Sequence, residues 1–180
     1  MKQAIYSLSK LGYKYISTNE GSHFIFKNDF CGVELHWSLI NKKSPVQSKI
    51  YNPKIYIPSE QLEQIAPNLY VLPPYENIIY LALHNLKEGY ASYKWFYDIY
   101  LLLQNINLQR LYRIAQKRKT LSILMCTFYF MQKIGFDMKN VHIDPITKLI
   151  IDLFDSIKFI RIRRNLLYLV LIFKRLIGIS

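Results

Sequence analysis

Cysteine, glycine and acid are all scarce in this 180-residue chain, and each scarcity closes off a class of chemistry. The two cysteines, Cys31 and Cys126, stand far apart with no CxxC pair and no Cys/His cluster, so neither a disulfide framework nor a structural zinc site is expected. The glycines are scattered singly, and no Gly-rich loop is present to cradle a phosphate. No two of the twelve acidic residues lie two positions apart, so the chain holds no Asp-x-Asp pair. Long apolar stretches are also missing. The run Leu166–Phe173 is eight residues, against the ~20 that a bilayer-spanning helix needs. The first residues, MKQAIYSLSKLGYKY, offer neither an apolar signal core nor a small-residue cleavage site, which makes the reducing cytoplasm the expected compartment.

Base, by contrast, is plentiful. Twenty-four Lys and Arg against twelve Asp and Glu give a net charge of +12, unevenly placed. Residues 1–58 carry 8 basic and 3 acidic side chains, 59–144 carry 9 and 7, and 145–180 carry 7 and 2. Such a balance favours anionic partners: nucleotide phosphates, nucleic acid or an acidic membrane surface. The enrichment in Lys, Ile, Tyr and Asn is equally what an AT-rich genome produces, so charge alone does not choose among them.

The hydrophobic period changes along the chain. Ala4, Ile5, Leu8 and Leu11 recur at helical spacing before Gly12, predicting a helix over 2–11. YKYIS, HFIFK and VELHWSLI, separated by TNEGS and NDFCG, predict a three-stranded antiparallel meander. Residues 41–74 are polar and broken by proline, with a short helix expected at 59–66. Pro73 and Pro74 then open a series of helices expected near 75–88, 93–104, 107–118, 120–135, 145–155 and 156–177. The expected class is α+β: a small α+β part with an antiparallel sheet over residues 1–58, followed by a helical bundle over 59–180 that ends in a basic helix.

Within the meander, CGVELHWSLIN puts an acid and an imidazole two apart in an apolar run. Strand alternation sends Val33, Leu35 and Trp37 to one face and Glu34 and His36 to the other. A half-exposed antiparallel strand would show the same pattern with no chemistry attached.

The succession LSKLGYKYI, SHFIF, VELHWSLI, PPYENIIYLALHNLKEGY and KWFYDIYLLL resembles the uncharacterised nucleotidyltransferase family of the polymerase-β-type superfamily, over roughly residues 5–135. In that superfamily three carboxylates, two from an Asp-x-Asp strand and one from a neighbouring strand, hold two Mg²⁺ ions that activate an acceptor hydroxyl and neutralise the departing pyrophosphate. The resemblance puts Glu34 in the place of the third carboxylate, as catalytic residue and metal ligand. In the family a Gly-Ser loop and the Asp-x-Asp strand precede the Leu-Gly-Tyr helix, and this helix begins at Met1. The expectation is therefore a truncated or split nucleotidyltransferase-like protein, taking NTP and Mg²⁺ only when another chain supplies the missing carboxylates, and otherwise catalytically incomplete. Glu88 is a smaller departure, since relatives often follow this Lys with His.

Other candidates carry two readings each. His36, beside Trp37, could steady Glu34 or a phosphate, or serve the fold. His84 and Lys87, at i and i+3 on one helix face, suit anionic phosphates or the acceptor, or else a pairing with Asp98. Trp37, Trp95 and Asp98 are expected as structural support, with Trp95, Ile99 and Leu102 marking a core stripe. Arg110, Arg113 and Lys117 form a basic helical face without the aromatic pattern of a nucleic-acid groove, so nucleic acid is not the expected partner. The basic segment 156–177 could lie on an anionic membrane surface or pack on a protein. A non-catalytic interaction module docking through it is the alternative to the nucleotidyltransferase reading.

Overall fold

The computed structural model describes residues 2–19, 23–36, 62–67, 69–90, 92–138 and 140–155. The chain is α+β, as expected, and divides into two compact units, Met1–Lys49 and Ile50–Ser180.

The first unit opens with α1 (Lys2–Lys10), which ends where Gly12 takes a left-handed φ of 82° that side-chain-bearing residues resist. Strands β1 (Lys14–Asn19), β2 (His23–Lys27) and β3 (Gly32–His36) form an antiparallel sheet in the order β1-β2-β3. A bulge between Tyr15 and Ser17 leaves Ile16 as the extra residue, and it is exposed. Asn28 fixes the β2–β3 turn: its side-chain oxygen accepts from the N–H groups of Phe30 (2.9 Å) and Cys31 (2.8 Å). The register then sets the two faces. Phe24 pairs with Leu35 and Phe26 with Val33 on the apolar face, where Tyr15, Phe24 and Phe26 meet edge to face with centroids 5.9–6.5 Å apart. Ile25 pairs with Glu34 and His23 with His36 on the other.

In the second unit β4 (Glu63–Ala66) and β5 (Leu69–Val71) form a hairpin. This corrects the helix expected at 59–66. Pro67 follows Ala66 directly, disfavours the helical region for it and removes an N–H, while Leu69–Val71 supplies a partner strand. The helices α2 (Pro74–Lys87), α3 (Tyr93–Leu103), α4 (Leu108–Lys117), α5 (Leu121–Lys133) and α6 (Pro145–Asp155) lie within two residues of their expected bounds. The segment 156–177 lies outside the described residues.

Helix α2 is the centre of this unit and packs against α3, α4 and α5. Proline at its first position wastes no N–H, and Ile78, Ile79, Ala82, Leu83 and Leu86 are buried along it. With Ile99, Leu111, Ile123, Leu124, Phe128, Met131 and Ile151 they make the core; each large apolar side chain buried there contributes about 1.5–3 kcal/mol. After α2 the chain turns at Gly89 and Tyr90, both at positive φ, so that Tyr90 stacks on Phe130 with centroids 4.3 Å apart. At the periphery Asp152 ties α6 to α5. It accepts from Lys133 (3.0 Å) and Tyr129 (3.0 Å), and the Lys133 ammonium, before the Tyr129 hydroxyl, holds its carboxyl below the usual carboxylate range.

Candidate functional site

Of the expected site residues, Glu34 sits in the first unit on the polar face of the sheet. Its side chain is 54% exposed. The Nε2 of His23 lies 3.8 Å from its Oε2, and the His23 side chain is only 7% exposed. Because His23 pairs in register with His36, and Glu34 precedes His36 by two residues, this contact runs diagonally between β2 and β3. His36 closes β3; its side chain, and Trp37 entirely, lie outside the described residues.

The donor set can be compared with the expected Mg²⁺. A hard cation of that size takes near-octahedral oxygen, supplied by carboxylates, water and substrate phosphates. This face provides one carboxylate and a neighbouring imidazole, and among the described residues no three His, Cys, Asp or Glu side chains converge as a ligand group. By themselves these residues do not fit a two-Mg²⁺ clamp.

The second group of candidates belongs to the helical unit. The His84 ring on α2 meets the Trp95 ring on α3 edge to face, with centroids 4.4 Å apart, and Tyr80 lies one turn back at 6.0 Å. Lys94 stands over Trp95 at 5.5 Å. Trp95 is half-buried, while Phe96 and Ile99 supply the buried stripe of α3. Lys87 pairs with its neighbour Glu88 at 3.8 Å, and Asp98, half-buried, takes no ion pair among the described residues. The contact joining the two helices at this motif is thus the His84–Trp95 ring pair rather than a pairing with Asp98. His84, Trp95 and Lys94 thus lie together in a chain of ring and cation–ring contacts, with Lys87 one turn on from His84 and paired with Glu88.

On the basic face of α4, Arg110 lies over the Tyr75 ring at 4.9 Å and the Arg113 Nε donates to the Gln109 carbonyl at 3.4 Å. Arg118, at the end of that helix, pairs with Glu76 at 3.6 Å.

Sequence reading did not single out His23. HFIFK reads as an alternating strand whose aromatic face is Phe24 and Phe26, and that pattern puts His23 on the same side as Ile25. What makes it matter is the register with β3, which only the folded sheet supplies.

A family model described as "Uncharacterised nucleotidyltransferase" matches residues 1–135. No curated protein and no solved structure matches the chain.

Proposed function

The chain belongs to the uncharacterised nucleotidyltransferase family, and on that premise we propose that its Glu34 strand is one part of a nucleotidyl-transfer site completed from outside these 180 residues. In such a site the acceptor hydroxyl attacks the α-phosphorus of an NTP and the bond to pyrophosphate breaks. Glu34 supplies the third carboxylate. The paired carboxylates of an Asp-x-Asp strand must come from another segment or another chain, because no acidic pair two apart exists in this sequence. His36 is proposed to meet the triphosphate, since an imidazole suits that charge, and by the same chemistry His84 and Lys87 are candidates for an anion on the helical unit. Taken alone, these 180 residues bind nucleotide without transferring it.

The observation that carries this reading is the half-exposed Glu34 carboxylate on a sheet face, held beside a buried imidazole. Calorimetric titration with MgATP and MgGTP, repeated on Glu34→Ala, tests it. Magnesium-dependent binding that the substitution weakens by about tenfold or more is the expected result. Absence of binding in both proteins overturns it.

A further inference from the structure

Between Asp98 and Asp137 the sequence holds six basic residues and no acidic one. Three of them, Arg110, Arg113 and Lys117, are exposed along one side of α4, away from its buried Leu111 and Ala115, and none takes an ion pair among the described residues. The helix itself is made less stable by this arrangement. Like charges at i, i+3 and i, i+4 repel, and an arginine in a first turn that holds no acid opposes the positive end of the helix dipole. Just past the helix Lys119 adds a further exposed cation at φ 58°, a left-handed conformation that favours glycine.

The aromatic partner that the α4 pattern lacked comes from α2. Arg110 lies over the Tyr75 ring at 4.9 Å, and the Tyr75 hydroxyl accepts from the Asn107 N–H at 3.3 Å, which ties that ring to the start of α4. A guanidinium laid on a ring keeps its N–H edge for a ligand, in the fork that matches a phosphate. Arg113 spends one of its N–H groups on the Gln109 carbonyl and keeps its terminal nitrogens. We propose that this face of α4 binds the sugar-phosphate backbone of a nucleic acid. From Arg110 to Lys117 the row rises about 10 Å, longer than one phosphate and suited to a repeating one. A membrane surface would need an apolar helix face turned outward, and that of α4 is buried in the bundle. Contacts of this kind hold a strand without reading its bases. The surface belongs to the helical unit and needs neither Glu34 nor Mg²⁺.

The test is fluorescence anisotropy of a short labelled RNA strand and a short labelled DNA duplex with the full chain, over about 50 to 200 mM salt. Three proteins are compared: the wild type, the triple variant Arg110→Gln, Arg113→Gln, Lys117→Gln, and a charge-matched control with Lys2→Gln, Lys10→Gln and Lys14→Gln, all exposed in the first unit. The α4 variant is expected to lose about tenfold or more in affinity and to flatten the slope of log K against log salt by about 2–3, roughly one per lost phosphate contact. The control is expected to lose less than about threefold, since screened charges far from the strand act weakly. Amide shifts of the wild type titrated with the tighter probe should change most over residues 107–119, a footprint that needs no substitution and decides the matter if the α4 variant fails to fold. No binding of either probe by the wild type overturns the proposal, as do equal losses in variant and control, unchanged binding in a folded α4 variant, or a footprint elsewhere. So does an α4 variant that keeps both probes but loses binding to vesicles of neutral and anionic phospholipid, which would give this face to a membrane.

Discussion

The sheet unit and the helical unit distribute their apolar residues in opposite ways. In the first, Phe26 is buried, but Tyr6, Leu11, Tyr15, Ile16 and Phe30 are exposed and α1 buries none of its residues. In the second, α2 alone buries six apolar side chains and a buried asparagine, and α5 is buried along most of its length. Among the described residues, the candidate carboxylate lies in the unit with fewer buried apolar side chains. The stable core and the candidate site are therefore separable here, because local opening free energies follow buried apolar contact.

The largest expected effect tests that separation. Phe128→Ala leaves a cavity in the helical core and should destabilise the helical transition by about 3–5 kcal/mol, measured by urea unfolding followed at 222 nm. Phe26→Ala should instead abolish amide-exchange protection across β2 and β3 and shift the helical transition little; equal shifts from both substitutions would end the comparison. Next comes the Arg118–Glu76 pair, whose side chains are 19% and 16% exposed. Removing one partner leaves the other charge poorly solvated, and Arg118→Leu should cost about 1–2 kcal/mol, less than the loss of a fully buried pair. Asn107→Ala follows. The Asn107 side chain caps α4 by accepting from the Arg110 N–H at 2.9 Å, and its loss should cost about 1 kcal/mol.

The smallest effect is a pH dependence at α6. Asp152 has a lowered pKa in the folded protein, chiefly through Lys133. A depressed carboxylate stabilises the fold above its unfolded pKa, and that contribution is lost as pH falls through the folded pKa. Amide exchange in α6 should thus accelerate in acid before the α2 core loosens, and Asp152→Asn should remove the difference; a variant with the same acid response would refute the assignment.

Much of this was legible in the letters. The switch from period two to period 3.6 at Pro73–Pro74 located the helices to within two residues, and alternation in VELHW put Glu34 opposite Val33 and Leu35. The hairpin at 63–71 was not legible, because a short polar segment has no period of its own and takes its conformation from the strand it pairs with. Trp95 was expected in the core, yet the rotation of α3 buries Phe96 and Ile99 and leaves Trp95 half-buried against His84. Periodicity finds a face; it does not say which edge of that face a neighbour covers.

The sequence by itself determined the α+β class, the family, the acid on a polar strand face and the absence of an acidic pair beside it, since each depends on residue type and local spacing alone. Tertiary structure alone brought His23, eleven positions upstream on another strand, to 3.8 Å from that acid. The reason is physical: cross-strand neighbours are set by ladder register, and register is fixed by the turn at Asn28 and by the burial of one whole face, not by either strand alone.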